Sequence, residues 1–175
     1  MSRRGVVAAT LAAVVVGACN PFAAPAGLDP MTLAPAPNSS VEVTRGSEHL
    51  EVTDRFSIEP GDVIRTSSSP ARIQLLGDRR ASMSQHTSIR VNGNDSLEAL
   101  SGSLLVVNGD PVVILFEGVE GSTRTGVFRI DTVPETSTST ATAYSGSIDV
   151  SDGPTIPPFF ELDVTEGAVG DLNPV

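Results

Sequence analysis

An all-β domain, antiparallel-rich and built as a short-stranded roll or sandwich, is predicted by three features of this sequence. From Val41 onward, short apolar/polar alternations are broken roughly every eight to twelve residues by turn signals. Two runs, Leu104 to Val107 and Val112 to Phe116, are apolar without alternation and read as central strands buried on both faces. No segment carries an apolar stripe at helical spacing, so no significant helix is expected in the mature domain.

The strands follow in order. Val41 and Val43 alternate before an Arg45-Gly46 turn, Leu50 and Val52 resume, and Phe56 and Ile58 lead into Pro60-Gly61, a pair suited to the centre of a type II turn. Val63 to Thr66 runs into Ser67-Ser68-Ser69-Pro70. Ile73 and Leu75 then share one face before Gly77-Asp78 turns the chain. Ala81 with Met83, and Ile89 with Val91, read as half-buried strands, and Asn92-Gly93 is the strongest hairpin signal. Asn108 to Pro111 joins the two apolar runs. Phe128 with Ile130, and Ile148 with Val150, restore alternation, while Ser137 to Thr142 reads as a Ser/Thr-rich loop or sheet edge. About a dozen short strands over roughly 110 residues suit a roll, small barrel or sandwich.

The N-terminal segment, residues 1–18, reads as a processing signal. Arg3 and Arg4 form a charged start, Val6 to Val16 an apolar stretch, and Val16-Gly17-Ala18-Cys19 closes it. The fourteen uncharged residues Gly5 to Ala18 fall short of the roughly 20 needed to span a bilayer. Val-Gly-Ala-Cys resembles the bacterial lipobox, in which small side chains admit the backbone to a narrow cleavage site and the cysteine thiol takes a diacylglycerol. Cys19 is the one cysteine of the chain and stands where such a signal needs it. It is therefore expected to carry the lipid, and no second thiol remains for a disulfide. Residues 19–40, with Pro21, Pro25, Pro30, Pro35 and Pro37, read as a tether, residues 41–150 as the domain, and residues 151–175 as a proline-containing tail with one strand around Phe160 to Val164.

Composition limits the chemistry. The chain of 175 residues has 11 basic residues, all arginine, against 21 Asp and Glu, a net charge of −10. Nucleic-acid binding is excluded, because phosphate neutralisation needs a concentrated basic patch. The missing lysine removes the phosphate-loop amine, the Schiff base and the Ser-Lys dyad. Cleavage before Cys19 also removes Arg3 and Arg4, leaving nine arginines against 21 acids, a net charge of −12. Anionic headgroups repel such a domain, which stands off the membrane on its tether.

Four constellations invite a catalytic or metal reading, and simpler ones account for them. His86 lies near Ser84 and Ser88 but no Gly-x-Ser-x-Gly elbow accompanies it, and His49 lies far from metal-ligand spacing to it. Asn92, Asn94 and Asp95 could offer oxygens to Ca²⁺, yet they lack the Asp-x-Asp-x-Asp-Gly pattern and fit turn chemistry. Glu117, Glu120 and Asp131 could supply a glycosidase carboxylate pair, which needs groups about 5–10 Å apart. No catalytic residue, metal or cofactor is expected.

The order of motifs resembles the FecR domain family over roughly Val41 to Val150. The matching stretches are Ile58-Glu59-Pro60-Gly61-Asp62-Val63-Ile64-Arg65-Thr66, Ala71 to Leu75, Ser84 to Val91, Leu100-Ser101-Gly102-Ser103-Leu104-Leu105-Val106, Gly126-Val127-Phe128-Arg129-Ile130, and Tyr144-Ser145-Gly146-Ser147-Ile148-Asp149-Val150. Val127 stands where the family usually has Thr, and Gly77-Asp78 reverses its Asp-Gly turn. The resemblance implies a non-catalytic domain of the bacterial envelope, whose best-known members sense an outer-membrane transporter and control an extracytoplasmic sigma factor through a membrane-spanning segment. No such segment is found here, so that route is not expected of this chain alone. The expected function is a lipid-anchored extracytoplasmic module that binds or scaffolds an envelope protein or cell-wall polymer; the alternatives are a small envelope glycan hydrolase and a purely structural lipoprotein. Partner contact is expected through a strand edge or through the hydroxyl-rich loops at Ser67, Ser68 and Ser69 and at Glu135, Thr136, Ser137 and Thr138, since backbone edges bind without special side chains.

Overall fold

A computed structural model describes residues 30–175. Cys19 and the residues read as a processing signal lie outside the described residues. The fold is all-β, as the alternation predicts. In chain order the strands are β1 (Thr32–Pro35), β2 (Val41–Arg45), β3 (Glu48–Val52), β4 (Phe56–Ser57), β5 (Val63–Thr66), β6 (Ala71–Gln74), β7 (Arg79–Met83), β8 (Ser88–Val91) and β9 (Ser96–Asn108). They continue with β10 (Val112–Phe116), β11 (Val119–Thr123), β12 (Gly126–Val133), β13 (Thr138–Gly146), β14 (Ile148–Val150), β15 (Thr155–Ile156), β16 (Phe160–Thr165) and β17 (Ala168–Pro174), and one 3₁₀ turn, Pro134–Thr136, precedes β13.

Two sheets share β9. Its first half pairs with β8 and, in parallel, with β10, in a sheet ordered β3-β2-β5-β8-β9-β10-β11-β14-β15. Its second half pairs with β7 and β12 in the other, ordered β4-β1-β6-β7-β9-β12-β13-β16-β17. The β10 pairing is parallel and every other pairing of the described strands is antiparallel. We call the first sheet B and the second sheet A. Inward side chains of both, among them Leu33, Ile64, Met83, Leu97, Leu104, Phe116, Phe128 and Leu162, form one buried cluster. Burying apolar area at about 25 cal/mol per Å² is the main force holding the sheets together, there being no disulfide.

The crossing of β9 between sheets is made at Gly102, whose φ is +80°. A Cβ there would lie 2.6 Å from the carbonyl oxygen of His86 and 2.7 Å from Cα of Thr87. Only glycine combines that φ with such close backbone approach. Around it, two buried threonines replace ladder bonds lost at the bend. Thr66 donates its hydroxyl to the carbonyl of Ser84 at 2.6 Å and accepts from the amide of Thr87 at 2.9 Å. Thr87 Oγ1 in turn accepts from the amide of Ser103 at 3.0 Å.

Several expectations are corrected. Part of the segment read as tether belongs to the domain: Met31 and Leu33 are buried, and β1 pairs with β4 and β6. Pro35 closes β1, with its unpaired side facing no second strand, a place where a missing N–H costs nothing. Ser137 to Thr142 is not an edge, because β13 lies between β12 and β16. Threonine favours strands, and the Thr132 and Ser139 hydroxyls satisfy each other at 2.8 Å. The C-terminal segment is not a tail with one strand. β16 and β17 form a hairpin whose Leu162 and Val164 are fully buried, and Pro174 ends the edge strand. Nor is Leu104 to Val107 buried on both faces, since Leu104 and Val106 point inward while Leu105 and Val107 are exposed.

Candidate functional site

The Ser67–Pro70 loop joins β5 in sheet B to β6 in sheet A. Its conformation is fixed by the backbone: the His86 amide donates to the Ser67 carbonyl at 2.8 Å, and the Ala36 amide to the Pro70 carbonyl at 3.2 Å. Ser67 and Ser68 are exposed and Ser69 is half-buried. All three line an open polar depression of about 600 Å³ with Asn38, Ser39, Glu51 and Asp54. Hydroxyls, an amide and carboxylates there can exchange hydrogen bonds with a polar chain.

The second predicted loop is a tight turn. Pro134 starts the 3₁₀ turn, Glu135 and Thr136 continue it, and Ser137 adopts φ 47°, its amide donating to the Pro134 carbonyl at 3.1 Å. Thr138 begins β13, and the Glu166 amide donates to the Ser137 carbonyl at 2.8 Å, tying this turn to the β16–β17 turn. Ala71, Met83, Leu104 and Ile130 lie in one register across sheet A, so both loops leave the same end of it. Three strand spacings, about 14 Å, separate β6 from β12. The two loops border one end of the domain without forming one cleft.

The carboxylates and histidines considered for catalysis do not converge. Glu120 points outward from β11 in sheet B, while Asp131 lies on β12 in sheet A and accepts from Arg129 Nε at 2.9 Å. Glu117 sits in the β10–β11 turn. His86 is an exposed turn residue with φ 55°, and His49 is exposed on β3, its Nδ1 3.1 Å from Thr44 Oγ1 and 3.2 Å from Glu42 Oε1. Asn92 to Asp95 connect β8 to β9, with the Asn92 amide donating to the Ser96 carbonyl at 3.0 Å. Among the described residues no group of three or more His, Cys, Asp or Glu is placed to hold a metal ion.

Asp62, inside the Ile58–Thr66 stretch, is a structural clamp that sequence reading does not single out. It is 1% exposed and accepts from Arg45 Nε and Nη2, each at 2.8 Å, and from the Glu59 amide at 2.9 Å. Arg45 also donates to Glu59 Oε1 and the Ser57 carbonyl, and its guanidinium stands 5.3 Å from the Phe56 ring centre. Burial pushes the Asp62 carboxyl up, but the bonds from Arg45 and the Glu59 amide outweigh it and hold the carboxyl below its ordinary range. With the folded pKa depressed, the stabilisation is complete above about pH 5 and is lost as pH falls below about 4. Asp62→Asn is expected to cost about 2 kcal/mol at pH 7 and to flatten the acid limb of the melting temperature against pH. An acid limb unchanged in the variant would refute this assignment.

A second concavity, about 420 Å³, lies on the outer face of sheet A and is lined by Arg55, Arg72 and Arg80 with Thr32, Gln74 and Val107. The three arginines come from separate stretches, so no run in the sequence announces them. Only the outward positions of Arg72 and Arg80, beside Ile73 and Ala81, hint at a shared face, and Arg55 lies between β3 and β4.

In fold, the chain is similar to a candidate anti-sigma factor from Parabacteroides distasonis. The superposition with that crystal structure has a TM-score of 0.52 at 13% identity and covers 63% of this chain. The matched part spans 57% of that protein's length. No family model and no curated protein sequence matches the chain.

Proposed function

We propose that this chain is a non-catalytic, lipid-anchored extracytoplasmic domain of the FecR type that binds a protein partner in envelope signalling. The observation that carries the reading is the β fold shared with a candidate anti-sigma factor, a regulatory rather than catalytic class of protein. The order of the FecR-like motifs supports it. In the fold, Asp62 and Gly102 of those motifs hold the β4–β5 turn and the crossing of β9. The open edges at β17 and β4, with the hydroxyl-rich depression at Ser67 to Ser69, provide surface for a partner.

The anchor rests on Cys19 and the small residues before it. Among the described residues no helix is long and apolar enough to cross a membrane. A diacylglycerol on Cys19 together with an acylated amino terminus supplies the two hydrophobic signals that stable anchoring needs, at about 0.8 kcal/mol per buried CH₂. Cys19→Ala is expected to move the protein from the membrane fraction to the soluble exported fraction, or to leave an uncleaved precursor. Intact mass of the native protein checks the chemistry directly; an unmodified Cys19 would overturn the anchor while leaving partner binding standing.

A further inference from the structure

We propose that the arginine-lined groove on the outer face of sheet A is a binding site for an acidic, extended polypeptide segment; the inference rests on the partner-binding reading above and names the chemistry of that partner. Three of the arginines in a chain of net charge −10 line one groove, and no carboxylate does. A neighbouring concavity of about 520 Å³ shares Ala34, Arg72 and Ser82 with it and extends it to Pro35, Pro37 and Pro70, again without an acid. In a chain with 21 acids this is a marked segregation of charge. The outer face of sheet B differs in mixing its charges, with Glu42, Glu51, Glu98 and Glu120 set beside Arg65 and Arg90, and Arg90 paired with Glu98 at 2.7 Å.

Register places the arginines. Thr32, Gln74, Arg80 and Val107 face one another across β1, β6, β7 and β9, and Ala34, Arg72, Ser82 and Leu105 form a second outward row. Arg55 reaches the first row through Thr32, donating from Nη2 to Oγ1 at 3.3 Å. Arg80 donates to the exposed Asp78 at 3.1 Å, a pair worth little in water and readily exchanged. Guanidinium groups match carboxylates in bidentate geometry, and arginine is enriched among the residues that carry binding energy at interfaces. Leu105 and Val107, 37% and 42% exposed, leave apolar surface in the same two outward rows.

The lining favours a peptide over other anions. The walls are proline, alanine and valine with few hydroxyls, which suits apolar side chains alternating with carboxylates rather than a hydroxyl-rich uronic acid polymer. An anionic membrane is disfavoured because the rest of the domain is strongly acidic.

The test is fluorescence anisotropy of the full chain in mild detergent with a fluorescein-labelled peptide of alternating Glu and Ala. Saturable binding that weakens with added salt is expected, together with no binding of the Lys-for-Glu counterpart. Arg72→Glu combined with Arg80→Glu is expected to weaken binding by about tenfold or more, whereas Arg65→Glu on sheet B leaves it unchanged. Equal binding by the double variant, or tighter arginine-dependent binding of polyuronate than of the peptide, would overturn the proposal. So would self-association of the chain that the double variant abolishes, since that would give the groove to a second copy. Peptide binding is read in solution and anchoring on membrane fractions, so failure here is distinct from failure of the anchor; a partner that binds equally to the double variant would leave the function and remove this site.

Discussion

Gly102→Val is expected to abolish cooperative folding or to lower the urea midpoint drastically. Valine at φ +80° is strained by about 1–3 kcal/mol, and its Cβ would stand 2.6 Å from the His86 carbonyl oxygen, where backbone on both sides must move. Overpacking of that kind costs about another 1–3 kcal/mol, and the Thr66–Thr87–Ser103 bonds are disturbed together with it. Against a typical total of about 5–15 kcal/mol, a loss of about 4 kcal/mol leaves little margin. Gly46 is the control, since it has φ +59° but nothing within 4 Å of the place a Cβ would take. Gly46→Ala should therefore cost only about 1 kcal/mol. Denaturation followed by circular dichroism compares the two, and a Gly102→Val midpoint close to that of Gly46→Ala would contradict the role given to the crossing.

This contrast shows what the sequence makes legible. Alternation and turn residues locate β2, β3, β5 to β8 and β12 because each is a short strand with one buried face, so local pattern and final environment agree. Asn92-Gly93 announces the β8–β9 hairpin for the same reason. What escapes is long-range. Nothing local says that β9 serves two sheets, because Ser101-Gly102-Ser103 looks like any small-residue break. The prolines around β1 and β17 look like linker and tail until β6 pairs with Pro35 and β16 with Pro174, each proline having a strand on one side only. Of the candidate site, the hydroxyl loops are legible as exposed segments, but their placement at one end of sheet A follows from register. The groove of Arg55, Arg72 and Arg80 depends on the packing of β1 beside β6, a contact that composition discourages one from expecting.

Leu104→Asp and Leu105→Asp, adjacent on β9, are expected to have opposite consequences, and the difference decides between two readings of the same apolar run. A run without alternation suggests burial on both faces, which would make the two substitutions equally damaging. In the fold, Leu104 is fully buried between Met83 of β7 and Ile130 of β12, while Leu105 faces outward between Ser82 and Arg129. A carboxylate at 104 has no basic partner among its cross-strand neighbours and must be desolvated or neutralised at a cost of several kcal/mol, enough to unfold the domain. At 105 the carboxylate stays in water beside the Arg129 guanidinium, and the change is expected to stay within about 1 kcal/mol. Thermal melts of both variants read the outcome: loss of the cooperative transition in Leu104→Asp with a near-native melting temperature in Leu105→Asp supports the one-faced strand, and unfolding of both would restore the two-faced one. The same pair reports on the groove, because Leu105 lies in the outward row of Arg72 and a folded Leu105→Asp protein places a carboxylate where the acidic peptide is expected to lie. Weaker peptide binding by a variant of native stability follows from charge repulsion at that face, whereas a carboxylate with no effect on binding would place the peptide elsewhere.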